Sequence, residues 1–83
     1  MTFEEFILSV AGGAYVQLGI VEDPFDNTKK IDLDMAKASI ELLEMLKEKT
    51  KNNLTKDEQD LIDSIIYDLN EKYNEKQNKQ VRQ

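Results

Sequence analysis

Two capping boxes organise the chain. Thr2-Phe3-Glu4-Glu5 and Thr55-Lys56-Asp57-Glu58 each offer a hydroxyl to a backbone N–H three residues on and a carboxylate that reaches back. Apolar residues at helical spacing follow each box. The first set is Phe3, Phe6, Ile7, Val10, Ala11, Ala14, Tyr15 and Leu18; the second is Leu61, Ile62, Ile65, Ile66, Leu69 and Tyr73. A third pattern opens at Asp32, a good N-cap, and runs through Leu33, Ala36, Ile40, Leu43 and Leu46, widened by Met35, Leu42 and Met45.

The stops are equally local. Gly19 stands where a left-handed helix cap belongs, with Ile20 and Val21 able to fold back over the last turn. Asn52 follows the second pattern, and asparagine is the best non-glycine residue for the same geometry. The expectation is an all-α three-helix domain over residues 1–73, with helices about 3–18, 33–51 and 56–73. A polar, frayed tail over 74–83 follows, because the apolar residues stop after Tyr73 until Val81. Asp23-Pro24 and Asp26-Asn27 mark turns in the longest connection. The flanking Ile20-Val21 and Lys30-Ile31 read either as two short paired strands or as part of an irregular loop.

Composition narrows the chemistry. The 83 residues contain no cysteine and no histidine, which excludes disulfides, thiolate zinc sites, cysteine nucleophiles and histidine-based acid–base catalysis. The net charge is −6, a sign that repels nucleic acid and anionic lipid. The 4 bases against 2 acids after residue 69 read as a solvated helix end. Glu22, Asp23, Asp26, Asp32 and Asp34 resemble a calcium loop only in composition. Counting from Asp26 puts Lys30 and Ile31 at the fifth and sixth positions, and counting from Asp23 puts Phe25 at the third, so neither register supplies the ligands. No metal or cofactor is expected. Glu41, Glu44 and Glu48, and Asp57, Asp60 and Asp63, are paired carboxylates in strongly polar stretches where solvated faces are the plain reading. No nucleophile–base pair and no phosphate-cradling loop accompanies them, so no catalytic residue is expected.

The anomaly lies in the first helix. From Phe6 to Val21 there is no charge, yet the run is too short and too polar to span a membrane. The acids Glu4 and Glu5 stand where a signal peptide would be basic, so a cytoplasmic location is expected. Gly12 and Gly13 sit mid-helix, each at about 1 kcal/mol relative to alanine. With Ser9 and Val16 they occupy the face opposite the apolar stripe, with Leu8 at its border. Two partner helices cannot cover a helix all round, so either something else covers this face or its residues are the scattered exposed apolar ones that any surface carries.

Whole segments carry a resemblance. Phe6-Ile7-Leu8-Ser9, Leu18-Gly19-Ile20-Val21-Glu22-Asp23-Pro24, the stretch from Leu43 through Thr55, and Tyr67-Asp68-Leu69 resemble the domain of unknown function 1844 family over about residues 3–73. Family members often have glycine at the position of Asn52, while Gly12-Gly13 departs from their usual Ser/Ala. The resemblance implies a small helical bacterial protein with no assigned activity and no catalytic residues to carry over.

The function expected from these residues is a non-enzymatic, cytoplasmic protein-interaction module. It would self-associate as a homodimer, most simply twofold, or as another small homo-oligomer through Leu8, Ser9, Gly12, Gly13 and Val16, with a foreign protein as the other candidate partner for that face. The alternative is a small-ligand or lipid-binding helical protein whose first helix lines an apolar pocket.

Overall fold

A computed structural model describes residues 1–81. It contains three helices, α1 (Phe3–Gln17), α2 (Leu33–Lys49) and α3 (Lys56–Val81), and no strand among the described residues. Both capping boxes form. The Glu5 N–H donates to Thr2 Oγ1 at 3.0 Å while Thr2 N–H donates to Glu5 Oε1 at 2.8 Å. The pair at Thr55 and Glu58 repeats this at 3.2 and 2.9 Å. Asp32 caps α2 by accepting from the Met35 N–H at 3.1 Å.

Gly19 ends α1 as the sequence predicts. Its φ is +73°, its N–H donates to the Val16 carbonyl, and Ile20 N–H donates to the Tyr15 carbonyl. This pair of bonds is a Schellman motif, and half-buried Ile20 packs against the core beside it. Glycine is required there for a second reason: a Cβ would stand 2.7 Å from Ile31 Cγ1. The connection between α1 and α2 is the irregular loop, not the strand pair. Its ends are tied by Asp32 N–H donating to the Gln17 carbonyl at 2.7 Å, and its tip by Asp23 N–H donating to the Thr28 carbonyl at 2.8 Å.

Two helix ends differ from expectation. α2 ends at Lys49, short of residue 51: Thr50 leaves the helical range at φ −99° and ψ 8°, and Lys51 N–H donates to the Glu48 carbonyl at 3.3 Å in place of the carbonyl four residues back. Asn52 still takes the left-handed conformation, with φ +69°. α3 does not stop at Tyr73 but continues to Val81. Residues 70–81 contain no proline or glycine and are rich in Glu, Lys and Gln, which hold a helix without an apolar face. Tyr73 and Gln77 also border a crevice closed on its other side by residues 30–34, so this stretch has a tertiary neighbour. Positions 82 and 83 of the expected tail lie outside the described residues.

The core is small. Ile7, Ala11, Ala14 and Leu18 from α1 and its cap meet Ala36, Ile40 and Leu43 from α2, and Ile62 and Leu69 from α3. Met35, Leu42 and Met45 do not widen the packed stripe of α2, because all three remain exposed. Polar bonds at the edges fix the helix pairing. Ser39 Oγ donates to Gln17 Oε1 at 2.7 Å, joining α2 to α1, and Lys47 Nζ lies 2.7 Å from Asp63 Oδ1, joining α2 to α3. Among the described residues no helix is long and apolar enough to cross a membrane.

Candidate interaction groove on the first helix

The five residues expected to form an interaction surface come together. Leu8, Ser9, Gly12, Gly13 and Val16 line one open groove of about 610 Å³ on the outer side of α1. Its other wall is the start of the loop, from Val21 to Phe25. Leu8, Ser9, Gly12 and Gly13 are exposed and Val16 is half-buried. A Cβ added at Gly12 or Gly13 would meet nothing within 4 Å. The contrast with Gly19 decides how these glycines are read. Gly19 is demanded by the monomer's own backbone, whereas nothing within the monomer requires Gly12 or Gly13.

The loop wall is held by its acids. Asp23 Oδ1 accepts from Phe25 N–H at 2.8 Å. Asp26 Oδ1 accepts from both the N–H and the hydroxyl of Thr28, and Asp26 Oδ2 lies 3.1 Å from Lys30 Nζ. The bonds from Thr28 and then Lys30 lower the Asp26 pKa to about 2. Asn27 takes a left-handed φ of +58° at the tip, a conformation asparagine tolerates. The acidic loop is thus bonded to itself, and among the described residues no three acidic side chains converge as a metal site. The tight turn leaves Phe25 95% exposed at the rim of the groove. Composition and periodicity gave no sign of Phe25's role, because its placement depends on the folded loop.

Among the described residues, two of the α3 carboxylates from the expected set are in ion pairs, and none of Glu41, Glu44 and Glu48 on α2 is. Asp60 pairs with Lys56, and Asp63 with Lys47. The Lys47 and then the Gln59 hydrogen bond hold the Asp63 carboxyl below its ordinary range. The sequence reading missed the polar contact between α1 and α3, where Tyr15 donates its hydroxyl to Asp68 Oδ2 and Lys72 lies 3.2 Å from Asp68 Oδ1. Burial first, then the Asp68 hydrogen bond and charge, raises the Tyr15 pKa to about 12. The Tyr15 bond and then Lys72 lower that of Asp68. A tyrosine within an apolar stripe signals that its hydroxyl needs a partner. Spacing alone does not say which acid supplies it.

Residues 1–75 match the family described as Domain of unknown function (DUF1844). The chain belongs to that family. The match spans α1, α2 and α3 as far as residue 75, and it includes both walls of the groove. No curated protein and no solved structure matches the chain.

Proposed function

We propose that this member of the family is a non-enzymatic protein-interaction module that self-associates, most simply as a twofold dimer, through the groove on α1. The observation that carries the reading is the pairing of an unfilled hollow with an unburied knob. Gly12 and Gly13 leave open space on the groove floor, and Phe25 stands fully exposed on its rim. A twofold arrangement presents both features to both subunits, so each aromatic ring can enter the other's groove. Close approach of the two α1 helices recovers dispersion contacts that offset the low helix propensity of the glycines. Loop charges of both signs support a second copy, since Glu22 and Asp23 lie within a few residues of Lys29 and Lys30. On this reading the module works in the cytoplasm. A small-ligand pocket fits less well, because such pockets enclose most of their ligand and this groove is open to solvent.

Light scattering after size exclusion at about 100 μM tests the proposal. A dimer is expected for the unmodified chain and a monomer for Gly12→Glu and for Phe25→Ala. Phe25 is almost wholly exposed, so its removal leaves the monomer fold intact. A monomeric unmodified chain overturns the reading.

A further inference from the structure

A second apolar surface lies on α2, apart from the groove. Met35, Ala38, Leu42 and Met45 recur at intervals of three and four residues, and all four are exposed. The three large side chains expose 52%, 38% and 48% of their surface, in order. The core row of the same helix, Ala36, Ile40 and Leu43, stands elsewhere on the helix wheel and, with half-buried Leu33 and Leu46, packs into the core. Beside the exposed stripe runs a row at seven-residue spacing, Asp34, Glu41 and Glu48, also exposed, with Lys37 on its far side and Lys49 in line with the stripe at its C-terminal end. None of these acids is in an ion pair among the described residues.

We infer that this face docks a basic amphipathic helix of another protein, with apolar residues on the methionine stripe and Lys or Arg along the edge that meets Asp34, Glu41 and Glu48. The spacing of the stripe is that of one face of a helix, the periodicity by which two helices pack side by side. Methionine is flexible and polarizable, so two methionines flanking Leu42 adapt to partner side chains of different shape. Charge selects the occupant. An antiparallel second copy seated here would set one acidic row against an identical one, and like charges placed across an interface are unfavourable. A helix with a basic edge turns the same row into attraction and speeds the encounter. This inference does not depend on the α1 groove.

The test uses two synthetic 18-residue amphipathic helices, one of Leu and Lys and one with Glu at every Lys position, followed by fluorescence anisotropy on the full chain. The Lys peptide is expected to bind at least tenfold more tightly than the Glu peptide, and to weaken as salt rises. Leu42→Ser and, separately, Met45→Ser should each weaken binding several-fold, and Glu41→Lys with Glu48→Lys should remove most of the salt dependence. Circular dichroism melts of each variant verify that it is folded, and Met45, being the more exposed, serves if Leu42→Ser is not. Equal binding of the two peptides overturns the inference, as does binding that neither stripe variant weakens. Loss of a homodimer on Met45→Ser, seen by light scattering, would assign the stripe to a second copy and also overturn it.

Discussion

Tyr15 and Asp68 join α1 to α3 through a hydroxyl–carboxylate hydrogen bond at the edge of the core. The tyrosine is pushed up to about 12, chiefly by burial, and the aspartate is pulled down by the same bond and by Lys72. Both shifts carry a sign for stability. The folded state holds the Tyr15 proton more tightly than the unfolded chain, so its contribution is complete below about pH 10 and is lost as pH rises toward 12. Asp68 acts oppositely: its contribution is present above the ordinary carboxylate range and is lost as pH falls through that range. Tyr15→Phe should lower stability by about 1 kcal/mol at neutral pH and flatten the decline above pH 10. Urea unfolding across pH 7–12 measures both effects, and an unchanged alkaline slope would show that the bond does not form.

The two kinds of glycine should respond oppositely to alanine. Gly12→Ala should stabilise the monomer by about 1 kcal/mol, since it improves helix propensity and the new Cβ meets no atom. Gly19→Ala should destabilise by more than about 1 kcal/mol, because φ +73° and the nearby Ile31 both oppose a Cβ. Thermal melts at low protein concentration, where association does not contribute, give the comparison. If Gly12→Ala is destabilising under those conditions, a close approach inside the monomer must exist.

Asn52 offers a milder version of the same test. With φ +69°, Asn52→Gly should be neutral or slightly stabilising, and Asn52→Val should lose about 1 kcal/mol or more. Chemical denaturation resolves this difference. A harmless valine would mean that α2 ends elsewhere.

The acidic loop should be indifferent to divalent cations. Asp23 and Asp26 already accept from the loop's own N–H and hydroxyl groups, and the sequence fits no coordination register. Melts with millimolar calcium, magnesium or zinc should coincide with those in chelator. An upward shift of several degrees with one ion would show binding to the native state.

Local signals in the sequence located the helix starts and two of the three left-handed residues, Gly19 and Asn52. A capping box needs only four consecutive residues, and Gly19 and Asn52 act within one turn of their helices, so no distant contact is required to predict them. The candidate groove was legible in part for the same reason: Leu8, Ser9, Gly12, Gly13 and Val16 share one face of one helix, and periodicity alone groups them. Phe25 was not legible, because its exposure follows from hydrogen bonds that close the loop after Asp23. The α2 stripe shows the limit of periodicity most clearly. Leu42 and Leu43 are chemically equal neighbours, yet Leu43 is buried and Leu42 is exposed. A helix with apolar residues over much of its circumference does not specify which part faces inward. The Ser39–Gln17 and Lys47–Asp63 contacts set that rotation, as does the fit of Ala36, Ile40 and Leu43 against two other helices. The Tyr15–Asp68 bond belongs with it, since it depends on groups brought near only when the helices pack.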